Sequence, residues 1–299
     1  MRALTLMLLL LVHAVPMSAE ASSDAQPPRT SMFNDQWLKF VVSIELYREE
    51  RDPKAIGTGF LVLSPCHTPM LFTAAHVVRQ DNGKPTENLA YRFNLPPTSD
   101  MHSALVRDEW QTDRGMGGWF FSDDDDLACR FVAPGSLSDV AAVTRSRFLY
   151  GTEVAVGARA AILGFPLGLR STGYATPIFR EATISRVDST LIIVDGFAFP
   201  GNSGSPVIYV PPHRLDIDMD PPLLQEQRLV GIVKREISFQ DRAISEQSKV
   251  PRAVFVDNTG LTEVIPVARL AELMARPDVR DLDLKIEQRV RETGSQLSN

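Results

Sequence analysis

Cysteine is scarce in this sequence: Cys66 and Cys129 are the only two in 299 residues. A bond between them has a single possible connectivity, and two buried free thiols are the alternative; spacing along the chain does not decide whether the Cα atoms come close enough. There is no block of Lys or Arg and the net charge is −6, so the electrostatic footprint of a nucleic-acid binder is missing. No apolar run reaches the roughly 20 residues that crossing a bilayer core requires. With 44% hydrophobic and 23% charged residues, disordered and collagen-like chains are excluded, and there is enough apolar surface for one large or two smaller cores.

What is present starts at the N-terminus. MRALTLMLLLLVHAVPMSAE puts Arg2 ahead of an apolar run from Ala3 to Val15, followed by Pro16 and small residues. That is the three-part layout of a secretory signal peptide, and Ala19-Glu20-Ala21 predicts cleavage after Ala21. The expectation is an exported protein, periplasmic or secreted, in a compartment that permits a Cys66 to Cys129 disulfide. Residues 22–35 are small, polar and Pro-containing, and read as an N-terminal tail.

Beyond the tail, short apolar runs such as Phe40-Val41-Val42-Ser43-Ile44, Gly59-Phe60-Leu61-Val62-Leu63 and Leu229-Val230-Gly231-Ile232-Val233 alternate with Gly, Pro and Asp clusters. Short strands without intervening helical periods predict an all-β sandwich or barrel. A break near residues 140–155 divides two strand-rich halves, 36–145 and 146–276. Val264, Ile265, Val267, Leu270, Ala271 and Met274 recur at helical spacing, which predicts a helix capped by Thr262 and ended by Pro277. Residues 277–299 are charged and read as a tail with a short helix.

Gly201-Asn202-Ser203-Gly204-Ser205-Pro206 raises the possibility of a serine nucleophile. A hydroxyl needs a general base to take its proton, and a His base needs a carboxylate to set its tautomer. Of five histidines, His13 leaves with the signal and His67, His102 and His213 lie in loop stretches. His76 instead follows an apolar strand through two small residues in Leu71-Phe72-Thr73-Ala74-Ala75-His76. Asp126 is the last carboxylate before the apolar stretch that ends at Phe131-Val132, whereas Asp123, Asp124 and Asp125 read as a solvated turn. The chain order His76, Asp126, Ser203 is that of the two-barrel serine peptidases and not of the α/β-hydrolases.

Thr73-Ala74-Ala75-His76, Asp126-Leu127-Ala128 and Gly201 to Pro206 together resemble a trypsin-like (chymotrypsin-fold) serine peptidase. Gly164-Phe165-Pro166-Leu167-Gly168 and Asn202 draw the resemblance towards the bacterial HtrA-like branch. It covers roughly Val41 to Met274. It implies two six-stranded antiparallel β-barrels with a C-terminal helix, catalysis by His76, Asp126 and Ser203, and an oxyanion hole built from the backbone N–H groups of Gly201 and Ser203. It implies a protein or peptide substrate and no cofactor.

The departures from the family carry expectations of their own. Asn202 replaces the Asp against which zymogen-activated relatives bury a new N-terminus, so activity is expected without zymogen cleavage. Phe197 falls at the base of the primary pocket, near Phe199, which predicts an apolar substrate side chain there. Lys234, Arg235 and Glu236 follow the strand whose edge pairs with substrate in relatives; they select substrate or merely protect a solvated edge. No PDZ module is expected after Met274. Asp216, Asp218 and Asp220 lack the Gly and Glu of a calcium loop, and Cys66-His67 makes no metal motif. Two other readings remain open, a non-catalytic binding protein on the same fold and an esterase.

Overall fold

The computed structural model describes residues 33–49, 51–135, 137–170, 173–211 and 226–296. The signal segment, most of the 22–35 tail, His213 and the Asp216, Asp218, Asp220 loop lie outside the described residues.

The fold is all-β with few helices. The first sheet holds β1 (Val41–Leu46), β2 (Lys54–Leu63), β3 (Pro69–Ala74), β4 (Leu89–Asn94), β5 (Ser103–Arg107), β6 (Phe120–Phe121) and β7 (Leu127–Phe131). They pair in the order β5-β4-β1-β2-β3-β7-β6. The six strands expected here are thus seven, the extra one being the two-residue β6 that pairs with Ala128 and Cys129. The second sheet is a closed six-stranded barrel. Its strands are β8 (Arg159–Gly164), β9 (Ile178–Val187), β10 (Ile192–Asp195), β11 (Pro206–Tyr209), β12 (Arg228–Ile244) and β13 (Pro251–Pro266).

Period-2 alternation explains how one strand serves two cores. On β2, Leu61 and Leu63 point into the first sheet's own core, with Ile44, Leu71 and Tyr91. Phe60 and Val62 point the other way, into a core shared with Phe148, Leu163, Phe165 and Ile232 of the second half. The barrel interior is filled by Ile162, Ile184, Val194, Val207, Val230 and Val264. The shared core is what holds the halves at a fixed juxtaposition, and the candidate residues lie along that seam.

Among the described residues four α-helices punctuate the sheets: α1 (Ala75–Val78), α2 (Asp108–Asp113), α3 (Val267–Ala275) and α4 (Pro277–Gln296). The helix predicted from Thr262 starts at Val267, with Pro266 as its N-cap. Val264 and Ile265 are strand residues, paired with Ile192 and Ile232; two consecutive buried positions at a strand end mimic a helical stripe. The charged C-terminal segment is no tail but a 20-residue helix. Val279 and Ile286 enter the shared core and Leu282 and Val290 pack beside it, each fully buried aliphatic contributing about 1.5–3 kcal/mol. Asp283, on the same face, is buried and accepts from Ser64 Oγ at 2.7 Å and from Cys66 N–H at 3.1 Å.

Candidate active site

His76 is the second residue of α1, a four-residue helix that turns the chain sharply at the end of β3. Asp126 immediately precedes β7, the neighbour of β3, and its backbone carbonyl accepts from Ala75 N–H at 3.0 Å. Strand pairing of Ala74 with Leu127 therefore delivers the carboxylate to the imidazole. One carboxylate oxygen accepts the His76 backbone N–H at 2.9 Å, and the other lies 2.6 Å from His76 Nδ1. An ionised carboxylate only accepts, so the geometry assigns the proton to Nδ1 and leaves Nε2 as the basic nitrogen. The His76 side chain is 49% exposed and that of Asp126 24%.

Ser203 sits in the turn between β10 and β11. Its carbonyl accepts from Thr58 N–H at 3.0 Å. Gly204 has φ +85°, and a Cβ on it would stand 2.3 Å from Thr73 Oγ1 and 3.1 Å from Ala74 N. The serine turn is thereby pressed against the two residues that lead into His76, and only a glycine allows that approach. Gly201 has φ +98°, with Phe165 O 2.3 Å from where its Cβ would be. The Gly164 to Gly168 motif lines this turn directly, and Leu167 N–H donates to Pro200 O at 2.6 Å. Asn202 is buried, its Oδ1 accepting from Phe199 N–H at 3.1 Å. Among the described residues, the N–H groups of Gly201 and Ser203 donate to no acceptor.

Thr58 was not legible as a site residue, yet it uses all its polar atoms to fasten the turn. Its hydroxyl donates to Gly201 O at 2.7 Å and accepts from Phe165 N–H at 3.0 Å, while its carbonyl accepts from Thr73 Oγ1 at 2.7 Å. The only trace in sequence is that it lies between Gly57 and Gly59. Gly57 is needed because a Cβ there would be 2.4 Å from Val77 Cγ1, next to His76.

The remaining candidates have other engagements. Phe197 and Phe199 stack at 6.2 Å, and Phe199 faces the Arg180 guanidinium at 5.0 Å. Phe197 lines an open cavity of about 490 Å³ with Arg159, Phe179 and Arg180; His76, Asp126 and Ser203 are absent from its walls. Arg235 donates twice to Glu263, both at 2.9 Å, and Lys234 lies 3.4 Å from the same carboxylate. Burial pushes the Glu263 carboxyl up, but the Arg235 hydrogen bonds and the charges of Arg235 and Lys234 outweigh it and hold the group below its ordinary 4.5. Glu236 accepts from Asn258 Nδ2 at 3.2 Å, and the same amide donates to Ala198 O at 2.6 Å. In the acidic run, Asp125 is not simply solvated: it lies 3.4 Å from Arg269 of α3, and burial raises its pKa.

Cys66 and Cys129 are both free thiols. Cys129 lies inside β7 in the shared core, and burial raises its pKa. Cys66 is in the β2–β3 turn, where burial together with Asp283 and Glu287 pushes its thiol up to about 12. Among the described residues no cluster of His, Cys, Asp and Glu is arranged to hold a metal ion. No helix among them is long and apolar enough to cross a membrane.

A two-unit β fold that sets a His-Asp pair from one half against a Gly-Asn-Ser-Gly turn from the other defines a class. The trypsin-like peptidase domain profile matches residues 57–210, just over half of the chain, and the chain belongs to that family. The match includes His76, Asp126 and Ser203. Among solved structures, an HtrA-type protease, AlgW, with tripeptide is similar at 16% identity and a TM-score of 0.44, over 80% of this chain and 60% of that one. The human heparin binding protein is similar at 13% identity and a TM-score of 0.47, over 79% of this chain and 89% of that one. This chain thus spans 60% of the length of the HtrA-type protease chain. No curated protein matches it.

Proposed function

We propose that the protein is an exported serine endopeptidase that hydrolyses peptide bonds through His76, Asp126 and Ser203, without zymogen cleavage. The observation that carries the reading is the Asp126 carboxylate, which grips His76 at both its backbone N–H and its Nδ1 and leaves Nε2 free to act as a base. His76 Nε2 takes the Ser203 Oγ proton as the oxygen attacks the substrate carbonyl. The tetrahedral oxyanion is met by the N–H groups of Gly201 and Ser203, donors worth about 3–4 kcal/mol each in such sites. The imidazolium then protonates the leaving amine, and water, activated by the same nitrogen, releases the acyl group from Ser203. The preferred side chain before the scissile bond is apolar: the family resemblance puts Phe197 at the base of the primary pocket, and the Glu236 carboxylate is engaged by Asn258.

Covalent labelling by a fluorophosphonate, read by peptide mass spectrometry, tests this reading. Labelling at Ser203 that vanishes in Ser203→Ala and His76→Ala supports it. A folded protein that takes no label is a binding protein on a peptidase fold. Intact-mass analysis of the active species checks that nothing beyond the signal segment has been removed.

A further inference from the structure

β12 and β13, 17 and 16 residues long, run far past the barrel that they help to close. β10 pairs with β13 only at residues 261–264, and β11 with β12 only as far as Ile232. Among the described residues, from Ser238 to Ile244 and from Pro251 to Asn258 the two strands pair only with each other, as a ribbon with both edges open. Phe239, Ile244, Val250, Val254, Phe255 and Val256 on this ribbon are each more than half exposed. Register places them on both faces. Phe239 opposite Asp257 and Phe255 opposite Asp241 share one face, while Val256 opposite Gln240 and Val254 opposite Arg242 share the other. A bare two-stranded ribbon is marginally stable in water, and so much apolar surface on open edges marks an association site.

The ribbon grows out of the candidate site itself. Val233 of β12 accepts from Gly204 N–H and donates to Ser205 O, both at 2.8 Å. At the root of the other strand, Asn258 ties Glu236 to Ala198 on the segment that leads into Ser203. Between Ser238 and Asn258 the charges balance, with Asp241, Glu246 and Asp257 against Arg242, Lys249 and Arg252. That balance disfavours a strongly acidic or basic partner and an anionic lipid surface.

We propose that the ribbon is a docking edge for the substrate chain: an unfolded, extended polypeptide bearing apolar residues adds as a strand to the open β12 edge while its scissile bond lies at Ser203. This rests on the peptidase reading above. Backbone hydrogen bonds would supply sequence-tolerant affinity, and alternate side chains would rest on the Phe239 and Phe255 face. From Ser238 to Ile244 the open edge runs for about 20 Å at roughly 3.3 Å per residue. Only a chain free to extend over that length gains the contact; a tetrapeptide or a folded protein does not.

Two ribbon variants test this. One is the triple substitution Phe239→Ser, Phe255→Ser and Val256→Ser, at exposed positions. The other replaces residues 240–256 by Asn-Gly, a two-residue turn between the paired Phe239 and Asp257. Binding is measured in a Ser203→Ala background by fluorescence anisotropy, with fluorescein-labelled, reduced and carboxymethylated lactalbumin as the unfolded chain and the native protein as the folded control. The expected result is tight binding of the unfolded form alone, weakened at least tenfold by both changes. With Ser203 present, kcat/KM for the unfolded protein falls at least tenfold, while tetrapeptide turnover and fluorophosphonate labelling stay within twofold. Unchanged binding overturns the proposal, as does an equal loss on the tetrapeptide. So does a wild-type dimer that the variants convert to monomers without change in binding, which would make the ribbon a contact between copies. Absent labelling with ribbon-dependent binding removes the peptidase reading and upholds the docking edge; labelling with ribbon-independent binding does the reverse.

Discussion

The Thr58 hydroxyl donates to the Gly201 carbonyl across the seam between the two halves, at 2.7 Å. It also accepts from Phe165 N–H, so one side chain on β2 fixes both segments that frame Ser203. Thr58→Val keeps the shape and removes the hydroxyl, leaving a buried donor and acceptor unpaired. A loss of about 2–4 kcal/mol in urea unfolding is expected. Fluorophosphonate labelling of the folded fraction should slow on the order of 10²-fold through misplacement of the turn. Thr58→Ser should restore both.

Asp126→Asn separates geometry from proton placement. The amide oxygen can still accept the His76 N–H, but the amide nitrogen would face Nδ1 and drive the imidazole proton to Nε2. Labelling of Ser203 is expected to fall about 10³–10⁴-fold with an unchanged circular dichroism spectrum.

Gly201→Ala combines a φ of +98° with a Cβ 2.3 Å from Phe165 O. Conformational strain alone is worth about 1–3 kcal/mol, before the clash is counted. A lower melting temperature and loss of labelling are expected together, and a fully labelled variant of wild-type stability would refute this account of the turn.

Part of this site is written in local sequence and part is not. His76, Asp126 and Ser203 stand out because each terminates or precedes an apolar run, and a strand edge is a property of adjacent residues. Thr58 could not be found this way, since its four bonds reach Thr73, Phe165, Gly201 and Ser203, brought together only by folding. The length of β12 was equally hidden. Residues 238–258 mix apolar and charged side chains on both faces, so no buried face reveals the strand, and the apolar run in the sequence stops at Val233. The full length of the C-terminal helix was hidden because its apolar stripe is one residue wide, Val279, Leu282, Ile286 and Val290, in an otherwise charged stretch.

The thiols give a chemical check. Iodoacetamide should modify two cysteines in denaturant, with or without reductant. In the native protein at pH 8, Cys66, pushed up to about 12, should react about 10²–10³-fold more slowly than an ordinary thiol, because the thiolate is the nucleophile. A mass unchanged by alkylation unless reductant is added would instead mean a disulfide.

Glu263 predicts a pH dependence at the ribbon's root. Its pKa in the folded protein lies below the ordinary 4.5, so the unfolded chain binds the proton more readily. The stability it contributes is fully present above about pH 4.5 and is lost as pH falls through the folded value. The gap in urea midpoint between wild type and Glu263→Gln should therefore be constant from pH 7 to 5 and shrink below 4.5. A gap that widens on acidification would contradict the pairing with Arg235 and Lys234.

The helix α4 bears on the order in which the protein can take shape during synthesis. Val279 and Ile286 belong to the same core as Phe60 and Phe72, although translation makes them some two hundred residues later. A ribosome that has emitted Ser203 has already supplied His76, Asp126 and Gly201, yet the shared core still lacks Val279 and Ile286. Completion of the shared core therefore waits on α4, and the nucleophile is made well before the scaffold that holds its partners is complete.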